Sequence, residues 1–587
     1  MNRRHKILGI VALSLLPLAL HAQSEHQAFR LASPYEPFGS ARSAALSGAM
    51  GAVGSDVSSI TRNPAGISLF RGANRLSFTL QGDSRSNEAN WYGQGSSTTD
   101  NFKVRFQEFS YQIGTNRASR GRLSFAFAIR NAGRYDRTLN ASASLAGQSG
   151  FSSLADYAAA RTNNGRYDFG TSSRADDKFS LEYLQDPKRS ANDPDLPFIS
   201  IFGAGAGWIA PKAGERRYQS NYTAPMSQAS LIYRERGSIT DYDLALGVEV
   251  DDALHLGIVG TLSSLDHELN TYYEERYGQQ GRLSLQNVRT TSGFGGRLGA
   301  GLLYEPLDGL RLGASIYTPT FYSMRESFRA VSEGQRRGFT DGRASLDYSP
   351  EQSYRLRGAW RFGLSGAYLI GQYGFLSVDY DYATLGHLRL SDAPTYDSFG
   401  NDVGDDAGFE EDNARLKTNY QGVHTVRVGA EVLLTSRLSL RGGYRYSSSP
   451  IKNAGLKGMN ATTEVLVPGP TVHYSLPDAV NSFSAGLGWR ISPSVTLDLA
   501  YVYTQQKGRT FAFPYVSDYG TSLNPRSNTT QAVTLYGLNK PNTKLRNPRS
   551  NTTQAVTPRT PEARDGLQAI EETNTRHQAV ATVSFRF

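Results

Sequence analysis

Charged side chains set singly among apolar neighbours are the main chemical resource of this chain. Arg355, Arg357, Arg361, Asp379, Asp381, Arg427, Glu431, Arg441, Arg445, Arg490 and Asp498 all occur this way. In extended segments, alternate residues point to opposite faces, so one face carries charge and the other meets an apolar medium. Arginine offers a rigid donor fork that matches carboxylates, and such a face could steer an amphipathic acid. It could equally be a network of mutually paired charges, because an isolated buried charge is costly. Hydrolytic chemistry finds little support. None of the nine histidines stands in a Gly-x-Ser-x-Gly or His-Glu-x-x-His context, and His424 and His577 fall on apolar faces near segment ends. With no cysteine there is neither a disulfide framework nor a thiolate metal site. The glycine-rich stretches lie inside strands and form no phosphate loop. The expectation is a protein without enzymatic activity, cofactor or metal.

The elements that position these charges are strands. At the carboxy-terminal end, Phe587, Phe585, Val583, Ala581 and Ala579 alternate with Arg586, Ser584, Thr582, Val580 and Gln578, the pattern of the last strand of a barrel with lipid outside and water inside. Period-two segments recur back to Leu76, Phe78 and Leu80, joined alternately by very short and by long connections. They total fourteen, an even number that returns both ends to one side. Residues 230–237 extend the fourth strand above a glycine. The sequence predicts an all-β, fourteen-stranded antiparallel transmembrane barrel over residues 73–587.

The ends and the composition agree. Residues 1–22 carry Arg3, Arg4 and Lys6 before an apolar run and a small-residue cleavage site, as a secretory signal peptide does. No stretch approaches the roughly 20 apolar residues of a spanning helix. Mean hydropathy is −0.44, yet Gly (59) and Tyr (33) are abundant, which suits a barrel that hides apolar surface in alternation. Without the signal peptide's three basic residues the charge of +9 falls to about +6, which gives no case for nucleic-acid binding.

Two regions lie outside the alternation. Residues 23–72 are small-residue-rich and too few for an independent core, so they belong inside the barrel, whose lumen would otherwise be sizeable. The gap 131–227 is too long for an ordinary loop. Within it Phe198, Ile201, Phe202 and Trp208 could offer a landing surface for a hydrophobic ligand, or could pack beneath their own loop. Residues 524–534 recur at 547–557; this looks like a local duplication in a tolerant loop, and its Asn-x-Thr triplets are assigned no chemistry.

Asn63-Pro64-Ala65-Gly66, preceded by Asp56 and Ser58, resembles the amino-terminal hatch motif of FadL-type outer-membrane transporters of long-chain fatty acids and other hydrophobic compounds. Residues 311–319 and 237–242 also resemble family segments. The resemblance runs from the luminal segment to Phe587. It implies a monomer in the outer membrane of a Gram-negative bacterium, inserted among its lipids by the barrel-assembly machinery. It further implies a hydrophobic small-molecule ligand, hatch movement near residues 63–66, and a third strand kinked inward to open a lateral route. Asn131-Ala132-Gly133 interrupts the alternation where that kink would fall, since glycine within a strand marks bends. An ordinary strand end explains the same residues. An open porin or a surface adhesin is the alternative; occupancy of the lumen separates them, since neither needs a hatch.

Overall fold

Alternation of side chains builds the molecule. On β1 (Arg75–Trp91) Phe78 and Leu80 point outward and are exposed, whereas Ser77, Thr79, Gln81 and Asp83 face inward and are buried. The same division recurs around the sheet, with Leu244, Leu298, Leu364 and Phe483 among the exposed outer side chains. An apolar exterior is stable only out of water, and its transfer into lipid is favourable by about 25 cal/mol per Å².

The computed structural model describes residues 25–70, 74–115, 122–147, 151–163, 180–185, 196–213, 217–346, 351–394, 409–456, 469, 471–514 and 567–587. The signal-peptide reading and both copies of the duplicated segment lie outside these residues.

Fourteen strands follow in order around the barrel. After β1 come β2 (Gln94–Gly114), β3 (Arg122–Arg134, extended by Arg137–Ser144), β4 (Gln228–Glu249), β5 (Leu254–Arg276) and β6 (Gly281–Leu307). β7 comprises Leu310–Tyr317 and Phe321–Arg336, and β8 comprises Gln352–Arg357 and Arg361–Ile370. The circuit ends with β9 (Gly374–Ala383), β10 (Val423–Leu433), β11 (Leu438–Ser447), β12 (Tyr474–Arg490), β13 (Val495–Phe511) and β14 (Ile570–Arg586). β14 pairs with β1 from Arg75↔Arg586 to Asn90↔Glu571, which closes the sheet. β4 runs through Gly237 with its pairing to β5 unbroken, so residues 230–237 do belong to the fourth strand.

One sequence reading needs correction. Arg355 and Arg357 point outward and are exposed, while Tyr354 and Leu356 face inward and are buried. Gly358, Ala359 and Trp360 interrupt β8 between its two halves, and the phase of alternation slips across them. Beyond the slip the polarity also inverts: Tyr322, Met324 and Phe328 are inward and buried on β7, as are Leu265, Leu269 and Tyr273 on β5. Past the apolar belt the outside meets water, so apolar side chains turn inward. Arg361, Asp379, Asp381, Arg427, Glu431, Arg441, Arg445 and Asp498 take the inward positions expected of them, and Arg490 is exposed at the rim.

Residues 25–70 occupy the lumen as α1 (Glu25–Ala32), α2 (Ala41–Ala45) and two short 3₁₀ turns, Val57–Thr61 and Pro64–Leu69. Hydrogen bonds reach the wall on many sides: Ala41 N to Thr582 Oγ1 on β14 (2.8 Å), Gly51 N to Asp379 on β9 (2.8 Å) and Ser484 Oγ on β12 to Ala45 O (2.9 Å).

Buried wall charges are paired across strands. Arg130 on β3 bonds Asp241 (2.6 Å) and Asp243 (2.7 Å) on β4, and Arg297 on β6 approaches Asp241 at 2.8 Å. Removing one member of such a pair strands the other in a dry site. Arg130→Leu is therefore expected to destabilise the folded barrel by about 3–5 kcal/mol, read as a lower urea midpoint in the gel-mobility shift between folded and unfolded forms. The exposed Arg325→Leu should leave that midpoint unchanged.

Candidate functional site

A cavity of about 360 Å³ lies between the luminal segment and the wall. Its lining includes Phe29, Leu31, Ile239, Tyr322 and Leu385 of one apolar cluster, with Pro34, and is dense in charge, including Arg85, Arg130, Arg134, Arg297, Arg427, Arg445 and Arg576 beside Glu36, Asp241 and Asp381. Most binding pockets are lined chiefly by apolar groups with few polar ones. This one combines apolar and charged lining, which fits a ligand that is itself amphipathic.

The Asn63–Gly66 turn is not among the residues that line this cavity and belongs to a separate part of the luminal segment. Asn63 caps it, its Oδ1 accepting from Ala65 N (3.1 Å) while its Nδ2 donates to Leu302 O on β6 (2.9 Å). Pro64 at the first helical position supplies the required φ and has no amide hydrogen to leave unpaired. Three wall glycines admit the turn: a Cβ would lie 2.4 Å from Ala65 N at Gly257, 2.0 Å from Asn63 Oδ1 at Gly301, and 2.8 Å from Asn63 Nδ2 at Gly313. Asp56 caps the preceding turn through Ser58 N (2.8 Å), and Ser58 Oγ reaches Glu108 on β2 (2.9 Å). The motif thus couples the luminal segment to β2, β5, β6 and β7.

The wall itself parts beside the cavity. β2 and β3 pair only from Gly114↔Ser124 to Glu108↔Arg130, although β2 stays paired with β1 as far as Gln94. At this fork the β3–β4 register shifts between Asn131 and Gly133. β3 then takes a luminal partner: Tyr35 N donates to Arg134 O (3.0 Å) and Arg134 N to Tyr35 O (2.9 Å). A Cβ at Gly133 would come within 2.6 Å of Pro34 Cγ, so glycine is what lets strand and luminal segment touch. Side chains bridge the interval: Gln107 Nε2 to Asn131 O (2.9 Å), Ser96 Oγ to Asn140 O, and Arg105 on β2 to Asp136 after β3 (3.5 Å). Outside it, Phe102, Val104 and Phe106 form an exposed apolar border. Ala132 itself lines the cavity.

The loop residues Phe198, Ile201, Phe202 and Trp208 are all buried. The first three lie on α5 (Phe198–Gly205), which packs on α3 (Leu154–Asn163), the second helix of the region being α4 (Leu181–Gln185). Phe198 meets Phe328 of β7 edge-on at 5.1 Å, and Trp208 Nε1 donates to Glu333 O (2.9 Å). Of the two sequence readings of this apolar run, packing beneath its own loop describes its geometry; each such side chain contributes about 1.5–3 kcal/mol by burial. Sequence reasoning did not find Tyr35, Glu36 or the β2–β3 fork. A Pro34-Tyr35 pair in an unpatterned segment carries no signal of strand pairing.

No protein-family model and no curated protein sequence matches the chain. Among solved structures it is similar to a FadL homologue of Pseudomonas aeruginosa, at 10% identity over 94% of this chain and 100% of that one, with a TM-score of 0.48. It is also similar to the toluene transporters TodX of Pseudomonas putida (12% identity, 95% and 100% covered, TM-score 0.45) and TbuX of Ralstonia pickettii (12%, 95% and 100%, 0.43). The likeness concerns the barrel as a fold.

Two predictions follow from the luminal contacts. Gly301→Val, which drives a side chain into Asn63, and Asn63→Ala, which removes a cap worth about 0.5–2 kcal/mol, should make residues 25–70 more protease-sensitive while the barrel keeps its folded gel mobility. A pH dependence arises at the start of α1. Burial pushes the Glu25 carboxyl up from 4.5 to about 7 although Arg415 of α6 (Glu410–Asn419) lies 3.5 Å away. A raised folded-state value favours the protonated form, so the contribution of Glu25 to α1 docking is fully present below about pH 4.5 and is lost as pH rises through about 7; the neighbouring His26, pushed by burial from 6.5 down to about 3, opposes it below pH 6.5, where docking must keep that ring neutral. Hydrogen exchange along α1 should show added protection as pH falls from about 8 to about 6.5, and Glu25→Gln should remove that gain.

Proposed function

We propose that this protein is an outer-membrane channel for passive uptake of hydrophobic or amphipathic small molecules, working as a monomer without cofactor. The observation that carries the proposal is a cavity of mixed apolar and charged lining beside an interrupted wall, lined both by the luminal segment and by residues at the β2–β3 fork. A lumen occupied by residues 25–70 speaks against an open diffusion porin. The resemblance of Asn63–Gly66 and its neighbours to the FadL-type hatch motif supports the same reading, as does the apolar belt that suits a bilayer.

On this proposal residues 23–72 act as the hatch. Ligand enters from the long-loop end, which requires the buried cluster around Phe198, Ile201, Phe202 and Trp208 to open and present those side chains. It rests in the cavity with its apolar part along Leu31 and Ile239. Movement of the hatch about the Asn63–Gly66 turn loosens the Tyr35–Arg134 bridge, and the ligand leaves sideways past Asn131, Ala132 and Gly133 toward Phe102 and Val104. Backbone groups cannot stand unpaired against lipid; the hatch and the bridging side chains satisfy them until the route opens. The concentration gradient and partition into the membrane supply the driving force.

The test is uptake of labelled dodecanol and of a labelled long-chain fatty acid by cells with and without the protein. Because the chain has no cysteine, Ser96→Cys with Asn140→Cys places a reversible staple across the fork. Oxidation should depress uptake severalfold and reductant should restore it. Equal uptake with and without the protein would remove the transport reading, and uptake indifferent to the staple would remove the lateral route.

A further inference from the structure

Among the described residues that line the cavity, two arginines lack the carboxylate partners that its other guanidiniums have. Arg445 on β11 is 5% exposed and Arg576 on β14 is 9% exposed, and both line the cavity. Among the described residues neither guanidinium donates a hydrogen bond or joins an ion pair; Nε of Arg445 and Nη1 of Arg576 are buried without any partner. Each lies instead over an aromatic ring of the luminal segment, Arg445 over Phe38 at 4.6 Å and Arg576 over Tyr35 at 3.7 Å. Such stacking orients a cation without neutralising it.

A third arginine adds to the excess. Arg427 stands directly opposite Arg445 in the β10–β11 register, and like charges facing each other across strands destabilise a sheet. Arg427 Nη1 bonds Asp381, but its Nε is buried and unpartnered. Asp381 is shared with Arg62 at 3.6 Å, and the nearby Glu36 is held by Arg62 and Arg361, each at 3.3 Å. Positive charge around Tyr35 and Glu36 therefore exceeds what the protein supplies to balance it. A protein retains such an arrangement at a cost in stability, and a bound anion would remove the cost.

We propose that Arg427, Arg445 and Arg576 form a binding site for the dianionic head of an amphipathic phosphate monoester. A tetrahedral phosphate carries close to two charges at neutral pH and three acceptor oxygens, matching three guanidiniums better than a carboxylate with one charge does. The apolar tail lies on Leu31 and Ile239. The inference rests on the uptake function proposed above and narrows its substrate class.

The experiment is calorimetric titration of the purified full-length barrel, in an uncharged detergent at pH 8, with dodecyl phosphate, dodecanoate and dodecanol. Dodecyl phosphate should bind at least about tenfold more tightly than either of the others, as charged hydrogen bonds imply. Arg445→Gln and Arg576→Gln should each weaken dodecyl phosphate by about tenfold and leave dodecanol unchanged. Glu36→Gln, which withdraws a competing carboxylate, should tighten dodecyl phosphate alone, and it decides the matter if the arginine variants do not reach the folded form. Equal affinity for phosphate and alcohol, dodecanoate as tight as dodecyl phosphate, or parallel losses for both ligands would overturn the site and leave hydrophobic uptake standing. Binding of dodecyl phosphate with no binding of dodecanol or dodecanoate would do the reverse.

Discussion

Every backbone N–H and C=O at bilayer depth needs a hydrogen-bond partner, because lipid offers none. That requirement explains the sealed seam between β1 and β14, and it explains why the parting of β2 from β3 coincides with docking of the luminal segment. Where β3 gives up its neighbour at Arg130, Tyr35 takes over at Arg134. The interruption in the wall and the plug in the lumen are two parts of one hydrogen-bonding solution. Each supplies partners to the other at the Tyr35–Arg134 bridge, which ties any motion of the segment to the state of the wall.

The interior obeys a related rule for charge. Carboxylates and guanidiniums on neighbouring strands neutralise each other, as Glu431 does with Arg441 and Arg42, and Arg441 with Asp498. Paired charges of this kind set register more than they add stability. The luminal segment completes several of these pairs with its own side chains, so it is held electrostatically as well as by the close fit of Asn63 against wall glycines. Around Arg445 and Arg576, which meet aromatic rings instead, that pairing lapses.

Most of the barrel was legible because a wall between lipid and water writes a period of two into the sequence. Fourteen strands, the short turns and the luminal placement of the early residues all follow from it. Strand length was not legible. β5 and β6 continue to Arg276 and start at Gly281, well past the apolar belt, where the inner face becomes apolar and the outer face polar. A hydrophobicity pattern that inverts partway looks like a strand ending, and it misassigned Arg355 and Arg357. Asn131–Gly133 was visible as an interruption, yet its partner Tyr35 was not, because pairing between residues so far apart in sequence leaves no local trace. The charged lining of the cavity was visible as inward arginines. Which of them would lack partners depended on geometry alone.

The bond from Ala41 to Thr582 spans 541 positions. Contacts of such separation form late, since the chain between them must first be brought to order. The leading segment must therefore wait, unattached to its final neighbour, until the carboxy-terminal strand has been made.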